Sequence, residues 1–126
     1  MKTEHWMSDP EAHDYPAAGD FLSLVMSEQE ASRTVKALQE APLVRRKAKD
    51  LLRASGLPLL PSENAHVAED LHKVRKGKKL SPVLLVRGRL ARGYPLVIAD
   101  GYHRICASYH LDENEDIPCH IVDAVA

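Results

Sequence analysis

Apolar residues recur along this chain with two different periods, and the change of period marks out its elements. Ala31, Val35 and Leu38 fall on one helical face, and Ser27-Glu28-Gln29-Glu30 just ahead of them has the form of a capping box. A helix is predicted from there to about Glu40. After Pro42 a second helical stripe is read, with Val44, Ala48, Leu51 and Leu52 inward, Arg45, Arg46, Lys49 and Arg53 outward, and Gly56 closing it. The two helices would form an N-terminal hairpin. Residues 1–20 mix acids, prolines, Trp6 and Tyr15 without a period, and read as an arm, weakly structured or docked, that leads into a short helix around Phe21, Leu22, Leu24 and Val25.

Further on, Leu57-Pro58-Leu59-Leu60-Pro61 is held extended by its prolines. Ser62 or Asn64 then caps a helix with Val67, Leu71 and Val74 on one stripe, ending at Gly77. Pro82 to Val86 and Leu96 to Ala99 are short unbroken apolar runs, the pattern of strands covered on both faces. Arg87 to Tyr94 is the loop between them. A helix from Asp100-Gly101 to about Leu111 and a strand from Ile117 to Val122 complete the pattern. The expected fold is α/β of the α+β kind: a small mixed sheet with flanking helices plus an N-terminal helical segment. Residues 1–56 form the arm and hairpin packed on the core, and residues 57–126 the α/β domain, in one folding unit.

At 126 residues, 44% hydrophobic and 28% charged, the chain has the length and composition of one ordinary globular unit. No basic leader followed by an apolar run stands at its start, and no stretch is long enough to span a bilayer, so a cytoplasmic protein is expected. Cys106 and Cys119 are then free thiols. The net charge of −1 hides an asymmetry: residues 33 to 104 hold 16 Lys and Arg against 6 Asp and Glu. A basic middle suits an anionic ligand, although charged faces of surface helices give the same count. The Arg45-to-Arg53 face and the Lys73-to-Lys79 run are candidates for nucleic acid phosphates, but no groove-reading motif accompanies them and only 5% of residues are aromatic.

The chemistry concentrates where the strand Leu96-Val97-Ile98-Ala99 runs into Asp100-Gly101 and then a helix opening with Tyr102-His103-Arg104. A helix N-terminus offers unpaired N–H groups and a positive partial charge to an anion. Gly101 permits close approach or a positive φ. Arg104 brings a planar fork of donors, and His103 a donor that titrates near neutral pH. Asp100 would repel a bare phosphate; it either caps the helix, holds a metal ion or orients a hydroxyl nucleophile. Tyr102, Ile105, Cys106 and Tyr109 lie at helical spacing, which makes them core-facing. Cys106, His110, Cys119 and His120 suggest a metal set on paper, but adjacent residues of a strand point to opposite faces, so Cys119 and His120 cannot join one site.

Leu80-Ser81-Pro82-Val83-Leu84-Leu85-Val86, Leu96 to Ala107 with its Asp100-Gly101-Tyr102-His103-Arg104 turn, and Ile117-Pro118-Cys119-His120-Ile121-Val122 together resemble the core of ParB N-terminal domains and sulfiredoxins. The resemblance covers roughly residues 57 to 122. It implies that the turn Gly101, Tyr102, His103 and Arg104 holds the phosphates of ATP or CTP, and Mg2+ is the candidate ion if the site is catalytic. By position, Lys78 or Lys79, just ahead of the first core strand, would also reach the phosphates. In the related free-serine kinases an aspartate opens the turn; Asp100 matches it, and Glu63 is the candidate acidic partner, with helix-dipole service as its alternative role. Tyr102 stands where sulfiredoxin has its catalytic cysteine, so that activity does not carry over. ParB proteins continue into a helix-turn-helix and a dimerisation segment that have no counterpart in these residues.

Two functions therefore stand open, ahead of a third with the least support, a metal-dependent DNA nuclease. One is a small phosphotransferase or nucleotide hydrolase using Asp100, His103 and Glu63. The other is a non-catalytic regulatory or adaptor module that binds nucleotide, nucleic acid or a protein, with residues 1–56 either covering the core or forming a homodimer surface.

Overall fold

The computed structural model describes residues 4–124, so the first three residues of the expected arm and the last two of the chain lie outside the described residues. The chain forms helix α1 (Asp14–Leu22), helix α2 (Glu28–Glu40), strand β1 (Val44–Lys47), helix α3 (Ala48–Ser55), helix α4 (Ala65–Arg75), strand β2 (Val83–Val86), strand β3 (Val97–Asp100), helix α5 (Tyr102–Leu111) and strand β4 (Asp116–Val122). This is a small α+β fold with a mixed sheet, as the apolar pattern predicts.

The sheet has the order β1-β4-β2-β3, with β4 and β2 parallel and the outer pairs antiparallel. Alternation along β2 builds a core on each face. Val83 and Leu85 join Ile98, Ile105, Ile117 and Cys119 on one side, beneath α3 and α5. Leu84 and Val86 join Ala18, Leu22, Ala31 and Leu38 on the other, beneath α1 and α2. A third cluster, Leu52, Val67, Cys106 and Ala107, locks α3, α4 and α5 together. Cys119 and His120 do point to opposite faces, and His120 Nδ1 lies 2.9 Å from the Ala41 carbonyl oxygen.

The capping box forms as its spelling predicts. The Ser27 hydroxyl accepts from the Glu30 N–H at 3.1 Å, and the Glu30 carboxylate accepts from the Ser27 N–H at 3.4 Å. Asn64, rather than Ser62, caps α4 through bonds from the His66 and Val67 N–H groups.

Two expectations fail at the N-terminal end. Val44 to Lys47 is not the first turn of a helix but edge strand β1, paired with Asp116 to Cys119, so no helical hairpin forms. α2 and α3 instead contribute to opposite faces of the sheet. Arg45, Arg46 and Lys47 are exposed, and pairing with a neighbouring strand, which local periodicity does not register, decided the conformation. The first helix lies earlier than Phe21 to Val25: it starts at Asp14, tolerates Pro16 in its opening turn, and leaves Leu24 and Val25 exposed beyond its end. The arm before it is docked. Trp6 is only 2% exposed and bridges to Leu80, with the Met7 N–H bonded to the Leu80 carbonyl and the Leu80 N–H to the His5 carbonyl.

Candidate functional site

A bulge ends β3 at the decisive position. Leu85 pairs with Ile98 but Leu84 pairs with Asp100, so one extra residue is inserted and Asp100 takes the side of the sheet that Leu84 occupies, toward α1. Gly101 follows with φ +114°, and a Cβ there would sit 2.4 Å from Val83 Cγ1 and 2.9 Å from Arg104 Nη2. Both the angle and the crowding require glycine. Gly101 is also the N-cap of α5, and no side chain caps that helix. Asp100, one of whose candidate roles is the cap, turns to Arg104, whose Nη2 donates to Asp100 Oδ2 at 3.0 Å and to the Pro82 carbonyl at 3.2 Å.

The uncapped first turn of α5 opens onto a polar cleft of about 240 Å3. Its walls come from four places, one of them Leu80 and Ser81 ahead of β2. The β3–α5 turn gives Asp100, Gly101, His103 and Arg104; α4 gives His66, Glu69, Asp70 and Lys73; the segment ahead of α1 gives Glu11 and His13. Four carboxylates thus face two permanent cations and three imidazoles. Such a lining suits an ionic ligand carrying both signs.

Electrostatics in the cleft are set by burial. Burial raises the Asp100 carboxyl above its ordinary range; the Arg104 charge and hydrogen bond oppose the rise, while Asp14, close enough to share a hydrogen bond, adds to it. Asp14 is 2% exposed, so two carboxyl groups meet out of water. Burial raises Asp70 as well, against the pull of Lys73 and Arg104. His103 is lowered by burial first and by His66 second, the two rings lying 4.7 Å apart, with Asp70 pulling the other way. A neutral His103 is thereby favoured at neutral pH.

Of the residues singled out from the sequence, Asp100, Gly101, His103 and Arg104 meet in the cleft, and three others do not. The Tyr102 hydroxyl donates to the Pro58 carbonyl at 2.5 Å, pinning the proline-rich segment on another side of α5. Glu63 is exposed in the turn before α4, where it accepts from the Ser62 hydroxyl at 3.4 Å, and Lys79 is exposed; neither lines the cleft. The lysine that lines the cleft is Lys73, and the acids there from α4 are Glu69 and Asp70. The sequence signal for this wall is the polar stripe His66, Glu69, Asp70, Lys73, which recurs at helical spacing opposite Val67, Leu71 and Val74. Glu11 and His13 carry no such signal because they precede α1, and Asp14 stands at its first position.

No protein-family model, curated protein or solved structure matches the chain. Among the described residues no helix is long and apolar enough to cross a membrane.

Proposed function

We propose that the cleft binds the phosphate groups of a nucleotide, ATP or CTP, accompanied by Mg2+. The observation that carries this reading is the uncapped N-terminus of α5 at Gly101, opening into a cleft that also holds His103, Arg104 and Lys73. An oxyanion there gains backbone N–H donors, the helix dipole and two fixed positive charges at once. At about 240 Å3 the cleft is smaller than the pockets that usually enclose a ligand of nucleotide size, so part of the nucleotide extends onto the rim. The resemblance to ParB domains and sulfiredoxins points to the same turn. Asp100 fits a role toward the Mg2+ that accompanies the phosphates, since hard carboxylate oxygens suit that ion and offset the repulsion between acid and phosphate.

Phosphoryl transfer is the catalytic form of this reading, with Asp100 orienting the acceptor. Calorimetric titration with ATP, CTP, ADP and GTP, with and without Mg2+, tests the binding, and release of the corresponding diphosphate tests turnover. Saturable binding that is lost in His103→Ala supports the reading. Binding without turnover assigns the protein to the regulatory or adaptor class, and no binding of any nucleotide by the folded protein removes the reading.

A further inference from the structure

Beyond the phosphate reading, we infer that Glu11, His13 and Asp14 form a binding site for a divalent transition-metal ion at the α1 side of the cleft. One ligand atom from each residue lies within 4.8 Å of the other two. His13 Nε2 is 3.0 Å from Glu11 Oε2 and 3.3 Å from Asp14 Oδ1. Ligands about 2.1 Å from a shared tetrahedral metal stand roughly 3.4 Å apart, so these separations already match those of neighbouring ligands on one ion.

The carboxylate of Asp14 is held for this task. Its Oδ2 accepts from the Glu11 N–H at 3.0 Å, which fixes the group and directs the other oxygen, Oδ1, toward His13. Anchoring of a ligand through its second oxygen is the usual support for a metal-binding carboxylate. The site is reachable, because the side chain of His13 is 76% exposed while Asp14 is 2% exposed. An ion would enter from solvent and settle against a rigid inner ligand.

A separate observation, from another element, points to a missing positive charge. Asp70 of α4 faces the same cleft, is 9% exposed, and makes no hydrogen bond or ion pair among the described residues. Partly desolvated and without a hydrogen-bonded partner, its carboxylate favours a further cation in the cleft. Lys73 and Arg104 attract it only from a distance, and Arg104 is already committed to Asp100. Asp100 and Asp14 add a pair of acids in contact. The positive end of α1 opposes a cation at Asp14, and the two carboxylates offset it.

The donor set selects the kind of ion. One imidazole and two carboxylates suit Mn2+, Fe2+, Co2+ or Zn2+; Mg2+ and Ca2+ prefer all-oxygen sets. The test uses the full chain, stripped with chelator and free of nucleotide, so its failure leaves the phosphate reading untouched. Calorimetric titration with Mn2+, Zn2+ and Mg2+ and the visible spectrum with Co2+ are recorded for the wild type, His13→Ala and Glu11→Gln. Both substituted side chains are solvent-accessible, and an unchanged melting temperature checks that the variants fold. The expected result is one saturable equivalent of Mn2+ or Zn2+, weaker by tenfold or more in each variant, with a Co2+ spectrum that His13→Ala alters. No saturable binding, equal binding by the variants, or a preference for Mg2+ overturns the inference.

Discussion

Arg104 reaches back one helical turn to Asp100, Nη2 to Oδ2 at 3.0 Å, and both side chains are more than four-fifths buried. The guanidinium is therefore a structural counter-charge before it meets any ligand. Removing it leaves Asp100 beside Asp14 with no cation between them. Arg104→Ala should destabilise the fold by about 2 kcal/mol, and adding Asp100→Asn should recover part of the loss. Urea unfolding of the two single variants and the double variant measures the coupling; strictly additive losses would show that the pair is not coupled.

This pairing decides how the cleft is best probed. Loss of ligand binding in Arg104→Ala would be confounded by damage to the turn, whereas His103 makes no ion pair among the described residues.

Gly101 is required by geometry rather than by ligand. At φ +114° with Val83 Cγ1 2.4 Å from a built Cβ, Gly101→Ala combines backbone strain with overlap in the core. A cost of about 3 kcal/mol or more is expected. Chemical denaturation reads it directly, and a loss below about 1 kcal/mol would mean that the turn relaxes freely.

Asp70 should trade stability for binding. Burial raises its pKa from an ordinary 3.8, so the folded state holds the proton more tightly than the unfolded chain. Its contribution to stability therefore falls as pH rises through the acid range, and ionised Asp70 is a burden at neutral pH. Asp70→Asn should stabilise the protein by about 1 kcal/mol at neutral pH, and the gain should vanish near about pH 3 where both states are protonated. Thermal melts of the two proteins across pH check this. A destabilised variant at neutral pH would mean that the carboxylate is satisfied in the fold.

The fold was largely legible from residues 57 onward. Unbroken apolar runs spelled β2 and β3, Gly77 and Gly101 punctuated them, and Asn64 announced α4. What local pattern could not reveal was pairing at a distance. Val44 to Lys47 has three cations in a row and becomes a strand only because β4 offers its edge. The site was half legible for the same reason. The β3–α5 turn is contiguous and could be read, but Glu11, Asp14, Asp70 and Lys73 reach it from segments separated by dozens of residues, and only the docking of Trp6 on Leu80 and of α1 on β3 brings the first two there.

The two cysteines should be inert. Cys106 and Cys119 are fully buried; burial raises both thiols, Cys119 from 9.0 to about 11. Neither should react with a thiol reagent in the folded protein, and both should react after denaturation. Because the folded thiol of Cys119 holds its proton while the unfolded one has lost it, stability should decline as pH rises from 9.0 toward about 11. Rapid native-state labelling would contradict this.

The most direct test of the central claim watches the N–H groups of the α5 turn themselves. In a proton–nitrogen correlation spectrum, titration with ATP or CTP and Mg2+ should move the amides of Gly101, Tyr102, His103 and Arg104 most and to saturation, and His103→Ala should weaken the response. Shifts confined to the exposed cations of β1, or no shift at any nucleotide concentration, would contradict the assignment of a phosphate site to this turn.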